Sequence, residues 1–428
     1  MNFERMRVLL LERAIRGELV PQLTEDGSIE QVGDRKGLFD IPKSWGWFEF
    51  SNVVKTISSR GYQIPAKEIS EKGRFPVVTQ SKNILIDGYS EEESKLVPKA
   101  FLPLLVFGDH TRFLKYVDFQ FIVGADGTKL IRPKDDNLVN CSYLYYVLRA
   151  LVPETKDRGY SRHFQFLKKL MIPVPPIHEQ CRIVDRVEEL LSEIDRADKA
   201  YEELQTLAGV LRGQILQEAI QGKLVPQLAE EGVVEQIGDA PDEVPFVIPE
   251  SWKWKTLKNI TGTITDGTHH SPKNSQVKDE VFKNLYVTAK NIKYTGVDLS
   301  KPTYVDDEVH AEIIQRCSPA FGDVLFVKDG ATTGVVTVND LQDSFSMLSS
   351  VALIKTLPEV LDSQYLVYVL RSPVIEKLIR SKMKGTGIPR VTLKILQDIP
   401  IPVPPFDEQL RIVGKVCDLL KQVKALSV

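Results

Sequence analysis

Basic and polar side chains in short loops are the residues of this chain best suited to chemistry. Arg112 follows Asp109-His110-Thr111 and precedes Lys115, and an arginine in such a loop can donate two hydrogen bonds to a guanine edge while its neighbours hold phosphate. Two further basic loops each precede one of two Ile-Pro-Val-Pro-Pro sequences. We therefore expect contacts to duplex DNA, with solvated surface charge as the alternative, at Lys82, Asn83, His110, Thr111, Arg112, Lys115, Arg158, Tyr160, Arg162, His163, His269, His270, Lys273, Lys290, Asn291, Lys328, Thr332, Thr333, Lys384 and Arg390. The sequence leaves open which of them read bases and which hold phosphates.

Sequences typical of catalysis are missing from the chain. The loops Gly124–Lys129 and Lys328–Gly334 could cradle phosphate or could be tight turns between strands. His269 and His270 are adjacent, and on a strand they would point to opposite faces, so we expect hydrogen bonding rather than a shared metal ion. A Walker A sequence, a GxGxxG sequence after a strand, an HExxH pair and an Asn-Pro-Pro-aromatic tetrapeptide are all absent. We expect no catalytic residue, no metal site and no cofactor on this chain.

Length and composition indicate a soluble globular protein of two to three domains. The chain has 428 residues, of which 43% are hydrophobic and 26% charged, and we find no apolar run long enough to span a membrane. The first residues show no signal-peptide core, so we expect a cytoplasmic protein. Reduced, unpaired thiols fit that compartment for the four widely separated cysteines Cys141, Cys181, Cys317 and Cys417.

The charge of −3 is unevenly distributed. Lys and Arg exceed Asp and Glu by 6 in 43–172 and by 3 in 251–400, whereas acids are in excess by 5 in 177–218. Basic modules beside an acidic segment fit nucleic acid on the modules and protein on the segment, although ordinary surface fluctuation also explains the smaller excess.

Three stretches of sequence occur twice. The two copies are offset by 205, 207 and 229 residues, whereas the intervening parts, 55–160 and 262–385, show no convincing similarity. The chain therefore consists of two divergent modules within near-identical frames. The repeated stretches are Ala14–Leu23 with Ala219–Leu228, Ile41–Trp47 with Ile248–Trp254, and Ile172–Gln180 with Ile401–Gln409.

Residues 177–220 are predicted to form one long helix of about 65 Å. Pro175-Pro176 precedes it, and Gly222 ends it. Apolar residues recur in alternating steps of four and three, which favours a coiled coil over two helices docked separately on their own modules. Segment 406–428 matches the front half of this helix and 1–16 its back half, so the chain ends would together rebuild an antiparallel partner. The predicted interface residues are Ile183, Val187, Leu190, Ile194, Tyr201, Leu204, Leu211, Ile215, Ile412, Val416 and Leu419.

The predicted fold class is α+β, with two globular α/β domains separated by a long antiparallel two-helix coiled coil in a pseudo-two-fold circular repeat. The expected boundaries are an N-terminal helical segment at 1–22, a first domain at 23–176, the long helix at 177–222, a second domain at 223–405 and a C-terminal helix at 406–428. Within the domains, the predicted strands are Phe75–Thr79, Leu104–Phe107, Phe119–Val123, Val324–Val327 and Val351–Ile354, and the predicted helices are Tyr143–Leu151 and Gln364–Arg371.

Together these features resemble the DNA-specificity subunit of type I restriction–modification systems. The resemblance covers essentially the whole chain and lies first in the twin Ile-Pro-Val-Pro-Pro-x-x-Glu-Gln and twin Ile-Pro-x-Ser-Trp-x-Trp sequences. Within the first module, Phe107–Arg112 and Gly124–Lys129 are similar to one type of recognition domain in this family. The stretches of the second module that resemble another type are Thr265–His269, Ala289–Ile292, Gly322–Leu325, Lys328 and Gly330–Gly334.

The resemblance implies that each module is a target recognition domain, related in fold to that of adenine methyltransferases, which reads one half of a split, asymmetric site in double-stranded DNA. It also implies that the coiled coil fixes the gap between half-sites and that two methylation (M) subunits, sometimes with restriction (R) subunits, bind this frame. S-adenosylmethionine and ATP would belong to those partners, and no membrane is involved. Two alternatives remain: a stand-alone methyltransferase or nuclease, and a coiled-coil scaffold without a DNA role.

Overall fold

The computed structural model of the chain describes residues 2–31, 37–82, 84–124, 127–152, 163–236, 238, 240–383 and 390–426. The chain forms two compact units, Met1–Tyr201 and Glu202–Val428, and each contains one of the divergent modules. Among the described residues, no helix combines the length and apolar character needed to cross a membrane.

The first unit contains α1 (Phe3–Ile15), α2 (Phe50–Val53), α3 (Cys141–Leu151), α4 (Phe164–Leu167) and the beginning of α5 (Ile177–Ile220). Its strands are β1 (Gly46–Glu49), β2 (Val54–Ile57), β3 (Gln63–Ile64), β4 (Phe75–Val78), β5 (Gly88–Ser90), β6 (Leu104–Gly108), β7 (Leu114–Val117), β8 (Ile122–Gly124), β9 (Thr128–Pro133) and β10 (Met171–Val174). Short 3-10 turns lie at Thr24–Asp26, Arg60–Tyr62, Ala66–Glu68, Glu93–Lys95 and Lys99–Phe101.

The second unit contains the rest of α5, α6 (Asp307–Arg316), α7 (Ser363–Arg371), α8 (Pro373–Ser381), α9 (Leu393–Gln397) and α10 (Phe406–Leu426). Its strands are β11 (Lys253–Thr256), β12 (Thr261–Asp266), β13 (Asn284–Val287), β14 (Ile292–Lys293), β15 (Gly296–Val297), β16 (Tyr304–Val305), β17 (Val324–Val327), β18 (Val336–Val338), β19 (Ser346–Met347), β20 (Val351–Thr356) and β21 (Pro400–Val403). Short 3-10 turns lie at Ala229–Glu231, Leu257–Asn259 and Ala289–Asn291.

The two modules share a sheet topology that their sequences do not reveal. The main antiparallel sheet has the order β2-β9-β6-β7 in the first unit and β12-β20-β17-β18 in the second. In a second sheet, β4 pairs in parallel with β8, and β13 pairs in parallel with β19. The modules are therefore two versions of one α/β fold.

Both faces of each main sheet are covered by apolar side chains. In β6, Leu105 and Phe107 belong to the cluster that includes α3, whereas Leu104 and Val106 belong to a cluster on the opposite face. The central strand β17 alternates in the same way between two clusters. Neighbouring side chains of a strand point to opposite faces, so a strand that is covered on both faces has apolar residues at consecutive positions. Both strands were predicted from such continuous apolar sequences.

The repeated sequences build the same frame in each unit. Strand β1 pairs antiparallel with β10, and β11 pairs with β21 in the matching register, so that Trp47 lies opposite Pro173 and Trp254 opposite Pro402. The Ile-Pro-Val segments thus lie in short strands that end each module, and α5 or α10 begins directly after the Pro-Pro pair that follows.

A buried glutamine ties the start of each long helix to its module. Gln180 donates from Nε2 to the carbonyl oxygen of Pro175 at 2.8 Å and accepts at Oε1 from the backbone N–H of Asn140, the N-cap of α3, at 2.7 Å. Gln409 makes the equivalent bonds at 3.0 and 2.9 Å, the second with Asp362, the N-cap of α7. The Glu-Gln pair noted in the sequence is therefore structural.

The glutamates beside these glutamines are also internal. Gln22 and Gln227 donate to Glu179 and Glu408, respectively, at 3.0 Å in both cases, and the indole of Trp252 donates to the other oxygen of Glu408 at 3.0 Å. Burial raises the pKa of both carboxyl groups, and these hydrogen bonds oppose that effect in part. The three repeated stretches are consequently joined into one hydrogen-bonded unit in each copy.

The prediction of one long helix over 177–220 is confirmed, because α5 spans Ile177–Ile220. In the first unit α1 lies against it: the rings of Phe3 and Tyr201 are 5.8 Å apart, and Arg7 pairs with Asp195 at 2.8 Å and with Asp198 at 2.7 Å. Higher residue numbers in α1 meet lower numbers in α5, so these two helices run antiparallel.

The predicted seam of α5 is buried only toward its ends. Ile183 and Val187 are 1% and 0% exposed and Ile215 is 7% exposed, whereas Leu204 and Leu211 are 38% and 40% exposed. An interface at these two leucines stays a prediction, because the partner helix predicted for it, at the start of the chain, belongs to the other unit. Leu204 precedes Ala208, where the buried face of this half of α5 begins. Leu211 lies off that face: at about 100° per residue, it is about 80° around the helix from the fully buried Ala219.

The remaining seam residues take intermediate or buried positions. Leu190, Ile194, Tyr201 and Leu419 are half-buried, while Ile412 and Val416 are fully buried in the cluster that also contains Ile215 and Ala219. In the second unit α10 thus shares a core with the end of α5.

The strands predicted around Phe75, Leu104, Val324 and Val351 are found, whereas Phe119–Val123 is a strand only from Ile122, because the carbonyl of Phe121 bonds to the N–H of Val97 in a loop.

Candidate nucleic-acid interface

A turn after β6 brings five of the ten predicted residues of the first module together. The Thr111 hydroxyl donates to the carbonyl oxygen of Gln80 at 2.7 Å, and the His110 N–H donates to the Gln80 side chain at 3.3 Å. Lys82 lies over the ring of Phe113, with Nζ 5.7 Å from its centroid. We call residues 80–82, 108–113, 127 and 163 the first tip.

Arg112 has an unusual backbone conformation within the first tip. Its φ is +62°, in the left-handed region that non-glycine residues rarely adopt, and its N–H donates to the carbonyl of Gly108 at 2.8 Å. The side chain is half-buried. A strained turn whose backbone is fixed by a hydrogen bond is suited to recognition, because less backbone entropy is then lost on binding.

Asp109 and His163 anchor the tip rather than forming its surface. Asp109 is 4% exposed and accepts from the N–H of Phe164 at 2.8 Å, while its carbonyl oxygen accepts from the N–H of His163 at 2.9 Å. His163 is itself 3% exposed. The predicted direct contact of His163 with DNA is revised to a structural role for this reason.

Lys115 also has an internal partner. Its Nζ lies 2.9 Å from Asp87 and 3.1 Å from the Ser81 hydroxyl, and the lysine is 8% exposed. Burial acts to raise the pKa of Asp87, but hydrogen bonds from Ser81, Thr79 and Lys115 outweigh it and lower that pKa. Lys115 therefore stabilises the first tip, and its predicted contact with DNA is revised.

The second module has a network of charges around buried Asp266. Asp266 is 2% exposed and lies 2.6 Å from Arg316, 3.1 Å from Lys328 and 3.3 Å from His269. Arg316 is also 3.2 Å from the Nε2 atom of His269. We call residues 266–270, 328–334 and 390 the second tip, which this network holds together.

Several residues predicted to contact DNA in the second module are engaged inside it. Lys328 is 2% exposed, and Arg390 pairs with Asp329 at 2.9 Å. Thr333 is 8% exposed and donates to the carbonyl of Gly330 at 2.6 Å. Lys328 and Thr333 are accordingly reassigned to holding the tip, because they are buried and their polar groups already have partners. Arg390 is paired but exposed, so its contact with DNA stays a prediction.

Asn291 is likewise internal. It is 7% exposed, accepts from the N–H of Thr288 at 3.0 Å and donates to the carbonyl of Asp298 at 3.0 Å. The predicted residues of the second module that remain exposed are His269, His270, Lys273, Lys290, Thr332 and Arg390. Lys273 lies over the ring of Phe282, with Nζ 5.8 Å from its centroid.

The remaining predicted residues, Asn83, Arg158, Tyr160, Arg162 and Lys384, lie outside the described residues. Sequence reasoning missed Gln80, Asp87, Asp266, Arg316 and Asp329, which position the predicted ones. In the sequence they could have been found only as acidic or amide residues able to pair with a basic residue far away in the chain.

The two tips occupy the same place on the shared topology. Asp109 and Lys328 are each the first residue after the central strand, β6 or β17. Each carbonyl oxygen accepts from a backbone N–H just before the short helix α4 or α9, from His163 and Val391, respectively, at 2.9 Å. The backbone attachment is thus constant while the side chains differ.

Metal and thiol chemistry have little support within the described part of the chain. No group of three or more His, Cys, Asp or Glu side chains there could hold a metal ion. All four cysteines are free, and burial raises the pKa of the Cys141 and Cys317 thiols to about 12, so these two are unreactive at neutral pH.

Comparisons with known proteins agree with this geometry. A family model described as the type I restriction modification DNA specificity domain matches residues 42–206 and 249–425. The specificity subunit of the type I restriction enzyme EcoR124I/EcoR124II of Escherichia coli is 24% identical over 385 residues, which cover 86% of this chain and 84% of that protein. The EcoAI specificity subunit of the same species is 21% identical, with 99% and 90% covered.

Solved structures show a similar fold. A chain from a structural study of complex assembly and conformational transition in the type I R-M system matches with a TM-score of 0.62, at 19% identity, over 91% of this chain and 93% of that one. The HsdS subunit from Thermoanaerobacter tengcongensis matches with a TM-score of 0.51, also at 19% identity and with the same coverage. At this identity the likeness concerns the fold.

Proposed function

Since this chain belongs to the family of type I restriction–modification DNA specificity subunits, we propose that each of its two modules reads one half of a bipartite DNA site. The observation that carries the proposal is the presence of two modules with one topology and different tips. Because the two modules share a fold but carry different side chains at their tips, they can present two different recognition surfaces to one DNA molecule. The half-sites should therefore differ in sequence, unlike those read by a symmetric dimer.

The long helix supports a second part of this proposal, that the spacing of the half-sites is fixed by a coiled coil. Its 44 residues correspond to about 66 Å at about 1.5 Å per residue. The antiparallel contacts of α1 with α5, and the core that α10 shares with the end of α5, fit a circular arrangement in which the chain ends rebuild one helix. A stiff element of this kind would set a spacing that a flexible linker could not.

The chemistry of the reaction would belong to partner subunits. We propose that two methylation subunits bind the frame, that restriction subunits can join them, and that S-adenosylmethionine and ATP are bound by those partners. This division fits the non-catalytic recognition role implied by the named relatives. It also fits the side chains of the tips, whose buried charges are paired with one another.

Exchange of one module tests the proposal. Residues 43–172 are replaced by the corresponding module of a relative, and methylated bases are mapped in cells that contain the matching methylation subunits. We expect one half-site to change and the other to be retained, because the frame contacts are the same in both copies. Exchange of 251–400 is the matched control and should change the other half. A change in both halves, or in neither, would contradict independent reading by two modules.

A further inference from the structure

A cavity in the second module carries three lysines. It has a volume of about 550 Å³, and Lys290, Lys293 and Lys301 contribute to its lining together with Asp298. All three lysines are exposed. Within the part of the chain that the structure describes, none of their side chains forms a hydrogen bond or a salt bridge, so their charges are free to meet a ligand.

One acid partly offsets this positive charge. Hydrogen bonds from Ser300 lower the pKa of Asp298, and the charge of Lys293 contributes to a smaller extent. Asp298 is therefore ionised at neutral pH, which leaves three positive charges against one negative charge around the cavity. The surplus selects for an anion.

The turn that carries two of the lysines is rigid. Asn291 lies between Lys290 and Lys293, and its side chain accepts from the N–H of Thr288 at 3.0 Å and donates to the carbonyl of Asp298 at 3.0 Å. The backbone of Asn291 accepts from the N–H of Asp298 at 2.7 Å, and Ile292, in the β14–β15 pair, is 1% exposed. The side chains of Lys290 and Lys293 therefore extend from a backbone that is held in place on either side of Asn291.

Three other basic residues of the second module differ in this respect. Lys328 and Arg316 are paired with Asp266, and Arg390 is paired with Asp329. The cavity adjoins the second tip directly, since Ser271, which follows the tip residue His270 in the chain, contributes to its lining. A strip of unpaired lysines beside a recognition tip suits an extended polyanion better than a single small ion.

We propose that this cavity is where the second module holds the phosphodiester backbone of duplex DNA, with Lys290, Lys293 and Lys301 as the contacting residues and Asn291 as a positioning residue. The inference rests on the proposed function and assigns a task within it. Lysine binds phosphate as a point charge without reading sequence. The second tip then reads the bases of the half-site, while the cavity fixes the position of the module along the duplex.

Salt dependence of DNA binding tests the assignment. The full-length chain, as wild type, as single lysine-to-glutamine variants and as the triple variant, is titrated with a duplex that contains its mapped site and with a scrambled duplex. Each lost phosphate contact should reduce the slope of log K against log [salt] by about 0.9. We expect the triple variant to lose roughly two to three units of slope and to weaken binding of both duplexes by the same factor.

Lys283→Gln is the matched control. Lys283 is an exposed lysine of the same module, pairs with Asp307 at 2.7 Å and does not line the cavity, so the same charge change there should leave the slope unchanged. A triple variant with the slope of this control would overturn the proposal while leaving DNA recognition intact. Wild-type protein that binds neither duplex at any salt concentration would instead reject the proposed function.

Inorganic phosphate distinguishes duplex DNA from a free phosphate compound. Binding of phosphate alone and of DNA is measured for the wild-type chain and for the triple variant, and we expect the triple variant to lose DNA affinity. If the triple variant loses phosphate binding but binds DNA like the wild type, the cavity belongs to a small phosphate ligand and the assignment to the DNA backbone is wrong.

Discussion

Removal of Asp266 should destabilise the second unit strongly, because it leaves Lys328 with its charge buried. The two residues are each 2% exposed, and their charged atoms are 3.1 Å apart. Removing one partner of a buried ion pair typically costs about 3–5 kcal/mol. Asp329 lies 3.2 Å from Lys328 and is itself accessible, so it offsets part of the loss. Arg316, which is 55% exposed, can turn to water.

We therefore expect Asp266→Leu to lower the free energy of unfolding by about 3 kcal/mol. For a unit of this size, each kcal/mol shifts Tm by about 2–4 °C, so Tm should fall by about 6–12 °C. Differential scanning calorimetry and chemical denaturation of the full chain measure both quantities. In the double variant Asp266→Leu with Lys328→Met, both buried charges are gone, and most of the stability should return because apolar residues can replace a buried pair.

Lys283→Met is the control for loss of an ion pair as such. Lys283 and Asp307 pair at 2.7 Å, but both are well exposed, and pairs of this kind contribute little to stability. The control should unfold like the wild type. The reasoning fails if Asp266→Leu also unfolds like the wild type, or if the double variant is as unstable as the single one, since the cost would then not arise from an unpaired lysine.

Two further measurements follow from buried polar groups. The Tyr286 hydroxyl is buried and has no hydrogen-bond partner among the described residues, so Tyr286→Phe should raise the free energy of unfolding by about 1 kcal/mol; a clear loss in chemical denaturation would show that the hydroxyl has a partner. Burial raises the pKa of Glu408 above its usual 4.5, so its ionisation opposes folding. The free energy of unfolding should therefore contain a component that falls as pH rises from about 4.5 through the raised pKa, and Glu408→Gln should remove it. An unchanged pH slope in that variant would contradict the assignment.

The long helix and the strongest strands could be predicted because their signals are local. Pro-Pro before Ile177, Gly222 after Ile220 and an apolar residue at every third or fourth position specify α5 without reference to the rest of the chain. The exposure of Leu204 and Leu211 could not be predicted in this way. It depends on which face of α5 meets its own module, and that face follows Ala208, Ile215 and Ala219 instead of the regular seam.

The candidate site was only partly predictable for the same reason. Sequence identified Lys115 and Lys328 as basic residues in suitable loops, but their partners, Asp87 and Asp266, are 28 and 62 positions away. A lysine that contacts DNA and a lysine that is buried against an acid look alike in one sequence. Pairing of distant strands brings them together, and that pairing also gives the two modules a common topology that their sequences do not show.

The way each tip is attached explains how two different recognition surfaces can share one fold. The loop after β6 and the loop after β17 are both joined to the segment before α4 or α9 through backbone atoms, at Asp109 and Lys328, respectively. A backbone hydrogen bond does not depend on the side chain, so residues at the exposed surface of a tip can change at little cost in stability. The buried lysine–aspartate pairs do not have this freedom, because either partner alone is an unpaired buried charge. Substitutions that alter the DNA sequence read should therefore accumulate at exposed tip positions such as His270 and Thr332, while changes at Lys115 or Lys328 would require a matching change at Asp87 or Asp266.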